Sequence, residues 1–157
     1  MPGRVSAIAA CIWAAQWASP AFAATDVDLL RGLHEKVLRA HQQSKVELIL
    51  EDEPADYVVA NRGKVTRPSL EERRKRLGEY LGRTRFEVYR DMAEPLVTVA
   101  TDGTLGWVVV QVEARGIQTT DDGRKEPLEF VSAWIELYQK REGRWLRVGN
   151  VSNFKPE

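Results

Sequence analysis

Three long strand-like runs, separated by short turns, make up the last third of this chain. The runs span residues 105–118, 128–141 and 144–154, and the two gaps hold Asp122-Gly123 and Glu142-Gly143. An acidic residue followed by glycine favours a tight turn, and strands joined by short turns pair antiparallel. The helical sequence comes earlier, so helices must cover one face of the resulting sheet. The sequence therefore predicts an α+β fold, with N-terminal helices packed on a strongly curved, mainly antiparallel sheet.

Residues 1–23 are predicted to form a secretory signal peptide rather than part of the fold. Arg4 is the only charge before Asp26, and the uncharged run VSAIAACIWAAQWA follows it. Ala21-Phe22-Ala23 then has the small-x-small pattern of a cleavage site. The apolar run is shorter than the ~20 residues that a spanning helix needs. We therefore expect cleavage after Ala23, no membrane span, and a secreted or periplasmic protein.

Removing 23 of the 157 residues leaves a mature chain of 134, which suits one domain over residues 24–157. Cys11 leaves with the signal, so the mature chain has no disulfide, thiolate nucleophile or cysteine metal site. Arg4 leaves too, so 22 Lys and Arg residues face 23 Asp and Glu residues. This near-neutral balance argues against nucleic acid as a partner, because nucleic acid favours a basic face.

The helices are predicted from apolar side chains that recur with helical period. Residues 26–43 form the first helix, with Asp26 as its N-cap, and another helix opens at Ser69 with Glu72 completing a capping box. The run Arg73-Arg74-Lys75-Arg76 is interpreted as a solvated helix face rather than a polyanion site. The remaining elements are a short helix at 46–50 and strands at 56–60, 64–66, 86–91 and 96–101.

Alternation divides each long strand into two sets of side chains, because successive residues point to opposite faces. The aliphatic sets are predicted to face the helices: Val108, Val110, Val112 and Ala114 in one strand, and Val131, Ala133, Ile135 and Leu137 in the next. The other sets contain Trp107, Trp134 and Tyr138 among polar residues, a mixture typical of protein interfaces. We therefore expect a homodimer through the outer sheet face, the alternative being an exposed sheet with scattered aromatics.

Two stretches resemble a known superfamily. They are Gly103-Thr104-Leu105-Gly106-Trp107, and Gly143-Arg144-Trp145-Leu146-Arg147-Val148 followed by Asn150-Val151-Ser152-Asn153. With the order of elements over residues 26–154, they resemble the nuclear transport factor 2-like superfamily in its SnoaL-like branch. The resemblance implies a cone-shaped domain like that of ketosteroid isomerase, a cavity between helices and sheet, and frequent dimers. The superfamily includes isomerases, dehydratases, polyketide cyclases and members that only bind or assemble, so the fold does not decide the function.

His34 and His41 are the sharpest functional signal in the chain. They lie seven residues apart, which puts both on the apolar side of the first helix. Such a pair could line a ligand pocket, the alternative being two structural histidines bonded to backbone or to a carboxylate. No metal site is predicted, because the mature chain has two histidines and no cysteine. No cofactor is predicted, because neither phosphate-cradling glycine motif occurs.

Asn150 and Ser152 are predicted to lie at the rim of the cavity. They share one alternation with Leu146 and Val148 near the end of the last strand, the alternative being edge residues in water. The active-site pattern of ketosteroid isomerase, with a tyrosine from the first helix, is not matched. The candidate acids are Asp56, Asp91 and Glu94.

These observations support three hypotheses about function. The first is an extracytoplasmic domain that binds a small apolar or amphipathic molecule without catalysis. The second is an isomerase, dehydratase or hydrolase that uses His34 or His41 with a carboxylate. The third is an assembly module that works through its outer sheet face. A pocket with histidine within hydrogen-bond reach of a carboxylate favours the enzyme, an aliphatic pocket favours binding, and a filled interior favours assembly.

The exported protein should begin at Ala24, because a small-x-small site follows an uncharged apolar run. N-terminal sequencing of exported material measures this directly. Retention of residues 1–23 would contradict the prediction, and so would a mature chain that begins at a lipidated Cys11.

Overall fold

The computed structural model describes the backbone of residues 24–154 and the side chains as far as Ser152. The predicted signal peptide, residues 1–23, lies outside the described residues. No helix within the described range is long and apolar enough to cross a membrane. The elements are helices α1 (Asp26–Gln42), α2 (Glu47–Leu50) and α3 (Leu70–Arg83), and strands β1 (Val58–Asn61), β2 (Lys64–Thr66), β3 (Thr84–Asp91), β4 (Leu96–Val99), β5 (Leu105–Thr119), β6 (Lys125–Arg141) and β7 (Arg144–Phe154).

Both long helices begin with a capping box, but α1 is capped one residue earlier than predicted. The Thr25 hydroxyl accepts the Asp28 N–H at 3.2 Å, and the Asp28 carboxylate accepts the Thr25 N–H at 3.1 Å. Asp26, the predicted cap, instead accepts hydrogen bonds from Lys140 at 2.6 Å and Trp145 at 2.8 Å. The start of α1 is therefore fixed to the sheet. The predicted box of Ser69 with Glu72 at the start of α3 is confirmed.

The seven strands form one sheet in the order β2-β1-β7-β6-β5-β3, with β4 paired to the first part of β5. The β5–β6 pair runs from Leu105 opposite Gln139 to Thr119 opposite Lys125. Every pairing is antiparallel except that of β1 with β7, which is parallel. The helices pack on one face of this sheet, so the predicted α+β class is confirmed.

The inner face of β5 is as predicted, but that of β6 is not. Residues directly opposite each other in a strand pair share a face. The buried Val108, Val110 and Val112 lie opposite Glu136, Trp134 and Ser132. The mixed aromatic and polar set of β6 therefore faces inward, and the aliphatic set, Val131, Ala133, Ile135 and Leu137, faces outward. The prediction failed because this interior contains bonded polar groups as well as aliphatic side chains.

This reversal also corrects the predicted dimer interface. Trp107 is on the outer face and 38 % exposed, as expected. Tyr138 is buried in the core, and Trp134 is on the inner face of the sheet, where it packs against the core. Of the three predicted interface residues, only Trp107 is therefore available to a partner on the outer face.

A β-bulge in β7 changes which of its residues face inward. Tyr138 pairs with Arg147 and Leu137 pairs with Gly149, so Val148 is the extra residue between them. Asn150 and Ser152 therefore share the inner face with Arg147, rather than with Val148 as the unbroken alternation predicted. Glycine is favoured at position 149 beside the bulge, because a Cβ there would lie 3.0 Å from the Val58 carbonyl oxygen of β1, which is a tight contact.

Candidate ligand-binding cavity

A cavity of about 550 Å³ lies between the helices and the inner face of the sheet, where the resemblance implied one. Its volume is within the ~300–1,000 Å³ that is typical of small-molecule sites. The wall combines aliphatic side chains with aromatic rings: Val37, Ile49, Val59, Leu77 and Leu128, with Tyr57, Tyr80, Tyr89, Phe130 and Trp134. The interior is therefore neither filled nor purely aliphatic.

Three of the four predicted pocket residues lie along this cavity. His41, Asn150 and Ser152 line it, and their contact with a ligand stays a prediction. His34 does not line it, because its ring is fully buried behind the wall, between two carboxylates. The seven-residue spacing therefore put both histidines on the inner side of α1, but only one of them reaches the cavity.

A buried carboxylate, Glu136 of β6, is the centre of a polar cluster in the wall of the cavity. It is completely inaccessible to solvent. It accepts hydrogen bonds from Tyr138 at 2.6 Å, Trp134 at 2.9 Å and His34 Nδ1 at 3.2 Å. The Arg147 guanidinium lies 3.6 Å from the same carboxylate. Glu136 therefore connects α1, β6 and β7 through one side chain.

The cluster continues from Arg147 to α3. Arg147 also forms an ion pair with Glu53, and Glu53 in turn accepts from Arg73 at 2.8 Å. Arg73 is 2 % exposed, and its second nitrogen donates to the Pro54 carbonyl oxygen at 2.8 Å. The interpretation of residues 73–76 as one solvated face is therefore wrong for Arg73. A buried guanidinium needs a paired carboxylate, and Glu53 provides it.

His34 completes the cluster as a cation between two carboxylates. Its Nε2 lies 3.0 Å from Asp91 Oδ1, opposite the Nδ1 contact with Glu136. Burial lowers the His34 pKa, but the hydrogen bond and charge of Glu136, with those of Asp91, raise it above its ordinary value. Burial likewise raises the Glu136 pKa, but His34 and Arg147 lower it to about 2. Both ring nitrogens of His34 therefore donate.

His41 is in the opposite electrostatic situation. Its Nδ1 lies 2.8 Å from the Val37 carbonyl oxygen, and its ring stacks on Tyr89 with centroids 4.3 Å apart. A carbonyl oxygen only accepts, so Nδ1 carries the proton. Burial lowers the His41 pKa to about 4, which leaves the ring neutral at pH 7. Its Nε2 is an acceptor without a hydrogen-bond partner within residues 24–154.

Three tyrosines in the wall have uncommitted hydroxyl groups. Tyr57, Tyr80 and Tyr89 line the cavity, and their hydroxyls make no hydrogen bond to any residue that the structure describes. Buried tyrosine hydroxyls usually have a partner. Burial raises the pKa of each, that of Tyr80 to about 12, so all three remain protonated at pH 7. The wall therefore offers hydrogen-bond donors to whatever enters the cavity.

The sequence analysis missed the tyrosines, Arg73 and Arg147. Tyr80 follows Leu77 by three residues in α3, and this helical spacing could have indicated it. Register shifts at Phe86/Val88 and at Leu137/Tyr138 hid Tyr89 and Arg147 from simple alternation. Of the candidate acids, only Asp91 joins the cluster, since Asp56 pairs with Arg141 and Glu94 with Arg31 on the surface. No group of three or more metal-ligating side chains within residues 24–154 is arranged to hold a metal ion.

Solved structures with this architecture share the fold but little sequence. A ketosteroid isomerase-like protein from Erwinia carotovora atroseptica has a TM-score of 0.65 and 14 % identity over 84 % of this chain and 98 % of its own. An NTF2-like protein from Cytophaga hutchinsonii has a TM-score of 0.64 and 15 % identity over 82 % and 97 %. An NTF2-like superfamily protein from Salmonella enterica has a TM-score of 0.65 and 9 % identity over 84 % and 92 %.

These likenesses show that the chain has the nuclear transport factor 2-like cone fold, as the resemblance indicated. No family model and no curated protein matches the sequence significantly. Identities this low carry the fold alone, so the function must be argued from the cavity itself.

Glu136→Gln should destabilise the fold, because glutamine keeps the shape of the side chain but removes the charge that His34 and Arg147 face. Removing one partner of a buried ion pair typically costs about 3–5 kcal/mol. Glu113→Gln is the matched control, because Glu113 pairs with the exposed Arg90 and such pairs contribute about 0–1 kcal/mol. Urea unfolding measures both variants, and equally small losses would contradict the role of the cluster.

The two histidines should titrate on opposite sides of the ordinary pKa of 6.5. The His34 pKa is raised, so its contribution to stability is complete below pH 6.5 and is lost as pH rises through the folded-state pKa. The His41 pKa is lowered to about 4, so its contribution is complete above pH 6.5 and is lost as pH falls through about 4. NMR titration of the two rings tests this, and a shared midpoint near 6.5 would disprove it.

Proposed function

We propose that this domain works outside the cytoplasm and binds a small amphipathic molecule in its cavity without transforming it. One observation carries the proposal: uncommitted polar groups are set into a largely apolar and aromatic wall. The groups are the hydroxyls of Tyr57, Tyr80 and Tyr89 and the Nε2 of His41. Small-molecule sites typically combine an apolar wall with a few polar groups that orient the ligand.

The pKa values of Glu136 and His41 support binding rather than catalysis. General acid–base catalysis works best when the catalytic pKa lies near the operating pH. The pKa of Glu136 is about 2 and that of His41 about 4, so both are weak bases at pH 7. Glu53 is held between Arg73 and Arg147. Glu53 is thus held by its ion pairs, and the pKa values of Glu136 and His41 lie well below pH 7.

An enzyme remains the second candidate because Glu136 lines the cavity and also contacts His34 at 3.2 Å. A carboxylate with a histidine behind it is the arrangement that would favour an isomerase or dehydratase. In that case Glu136 would have to exchange a proton with the ligand despite its hydrogen bonds from Trp134 and Tyr138. Because Glu136 is already engaged in these hydrogen bonds, we prefer the binding function to the enzymatic one.

Native mass spectrometry of the exported protein should reveal a co-purifying small molecule, which extraction then identifies. Tyr57→Phe and Tyr89→Phe should each weaken its binding about two- to tenfold, the range expected for one hydrogen bond. Neither change should affect stability, because the hydroxyls lack partners within residues 24–154. Thr98→Val, a hydroxyl deletion on the exposed β4, should change neither property.

Two outcomes of this experiment would contradict the proposal. If the phenylalanine variants bind the extracted molecule as tightly as the parent, the tyrosine hydroxyls do not contact the ligand. Conversion of the molecule to an isomer or dehydrated product, seen by NMR during incubation and abolished in Glu136→Gln, would favour the enzyme instead.

We also propose a homodimer through the outer sheet face. One cross-strand row on that face is apolar over four strands, and Trp107 and Leu137 form an exposed pair beside it. The row consists of Leu96, Val109, Ile135 and Val151. Contiguous exposed apolar surface of this kind often marks a protein contact.

Trp107→Glu should convert the dimer to a monomer, because an unpaired charge buried in an interface is strongly unfavourable. Val65→Glu is the control, since Val65 is an exposed apolar residue of β2, away from the row. Light scattering at micromolar concentrations distinguishes the two states. A parent protein that is monomeric throughout that range would refute the dimer.

A further inference from the structure

His41 presents a hydrogen-bond acceptor to the cavity, and α1 itself fixes its tautomer. The Nδ1 nitrogen donates to the Val37 carbonyl oxygen at 2.8 Å, one turn earlier in the helix. In the neutral ring the single proton is therefore on Nδ1, and Nε2 holds a lone pair with no hydrogen to give. At this position the wall can only accept, so a ligand group that meets Nε2 must donate.

The Nε2 nitrogen of His41 is also accessible to a ligand. Polar side-chain atoms that are buried and lack a hydrogen-bond partner occur, among the described side chains, at Arg31, Asn61 and Arg73, and His41 Nε2 is not one of them. Because Nε2 has no partner in residues 24–154 either, it is an unpaired acceptor that the protein does not enclose. His41 lines the cavity, so a small molecule in the cavity can reach this nitrogen.

Aromatic packing holds this acceptor in one place. The His41 ring stacks on Tyr89 with an interplanar angle of 6°, and Phe86 and Tyr80 approach it edge-on, with centroids 6.0 and 6.4 Å away. The hydrogen bond of Nδ1 also fixes the rotation of the ring, so the lone pair of Nε2 has a defined direction. A group that is ordered before binding loses little conformational entropy when it meets a ligand.

The ligand group that meets Nε2 should be uncharged. An ionised carboxylate has no hydrogen to donate. An ammonium would bring positive charge to a place that disfavours it, because burial lowers the His41 pKa to about 4 and the charge of Arg147 adds to this effect, with Glu136 opposing. Glu53 and Glu136 are already paired with arginines, so neither carboxylate is free to neutralise an ammonium.

Two tyrosines beside His41 favour a ligand hydroxyl over an N–H group. The ring centroids of Tyr89 and Tyr80 lie 4.3 and 6.4 Å from that of the imidazole. Both tyrosines line the cavity, and the described residues offer no partner to their hydroxyls. A ligand hydroxyl can donate to Nε2 and accept from a tyrosine at the same time, whereas an amide N–H only donates.

We propose that the ligand of this cavity carries an uncharged hydroxyl group, alcoholic or phenolic, which donates its hydrogen to His41 Nε2. This rests on the proposed binding function and adds the chemical class of the ligand and the residue that selects it. An ether or a carboxylate of similar shape lacks the hydrogen, and an ammonium carries a charge. The apolar and aromatic wall then covers the rest of the molecule.

Probes with the same butylphenyl body test the polar group: para-butylphenol, para-butylbenzyl alcohol, para-butylanisole, para-butylbenzoate and para-butylbenzylammonium. Calorimetric titration of the mature protein at pH 7 gives the ratio of hydroxyl to anisole affinity in the parent and in His41→Phe. Comparing the two ratios cancels the different hydrophobicity of the probes. Phenylalanine keeps a ring to stack on Tyr89 but has no acceptor. The ratio should therefore fall about two- to tenfold for at least one hydroxyl probe, the range expected for one hydrogen bond.

A control variant and a direct measurement assign the effect to the acceptor. Gln43→Phe should keep the parental ratio, because Gln43 is exposed at the end of the same helix and does not line the cavity. Nitrogen NMR of the parent protein observes Nε2 itself. The His41 Nε2 signal should move upfield when a hydroxyl probe binds, and much less with the anisole. If none of the probes binds, the same measurement is made with the co-purifying molecule.

Failure of this inference differs from failure of the proposed function. If the probes bind but the ratio is the same in the parent and in His41→Phe, or the Nε2 signal stays in place with both hydroxyl probes, the inference is wrong and the binding function stands. The inference is also wrong if the benzoate or the ammonium binds more tightly than both hydroxyl probes, or if the co-purifying molecule has no uncharged hydroxyl group. If no probe binds and nothing co-purifies, both are wrong.

Discussion

The carboxylate of Glu136 is the point on which the interior of this domain depends. It accepts three hydrogen bonds and faces two cations while having no contact with solvent. Its partners come from α1, β6 and β7, and Arg147 extends the connection to α3 through Glu53 and Arg73. An isolated buried charge would be very unfavourable. Helices and sheet must therefore assemble together for any of these groups to be compensated.

This cluster explains why the two faces of the sheet look inverted. A sheet covered by helices usually turns aliphatic side chains inward, yet β6 turns Glu136 and Trp134 inward and Ile135 outward. Glu136 and Trp134 are tolerated inside because Trp134 donates to Glu136, which also accepts from Tyr138. The aliphatic residues displaced to the outside leave an apolar surface, so the same register that builds the cavity also creates the face through which we propose a homodimer.

Local sequence signals were sufficient to predict most helices and strands, whereas the arrangement of the site depends on residues that are distant in the sequence. The long strands, the capping box at Ser69 and the inner face of β5 followed from turn chemistry and alternation. The bulge at Val148 could not be predicted, because it depends on how β6 and β7 align. The burial of Arg73 depends on Glu53, twenty residues earlier in the chain. A run of four basic residues on a helix does not reveal that one of them has an internal partner.

The two histidines show the same limit and bear on which ligand groups can lie beside the cluster. Their spacing correctly put both on the inner side of α1, but Asp91 and Glu136, 57 and 102 residues away from His34, make that ring a structural cation. With the His34–Asp91 pair included, the cluster holds three cations and three anions, so it is electrically balanced. A charged ligand group inserted to that depth would bring an uncompensated charge into the interior, so the balanced cluster disfavours an ionised group beside it.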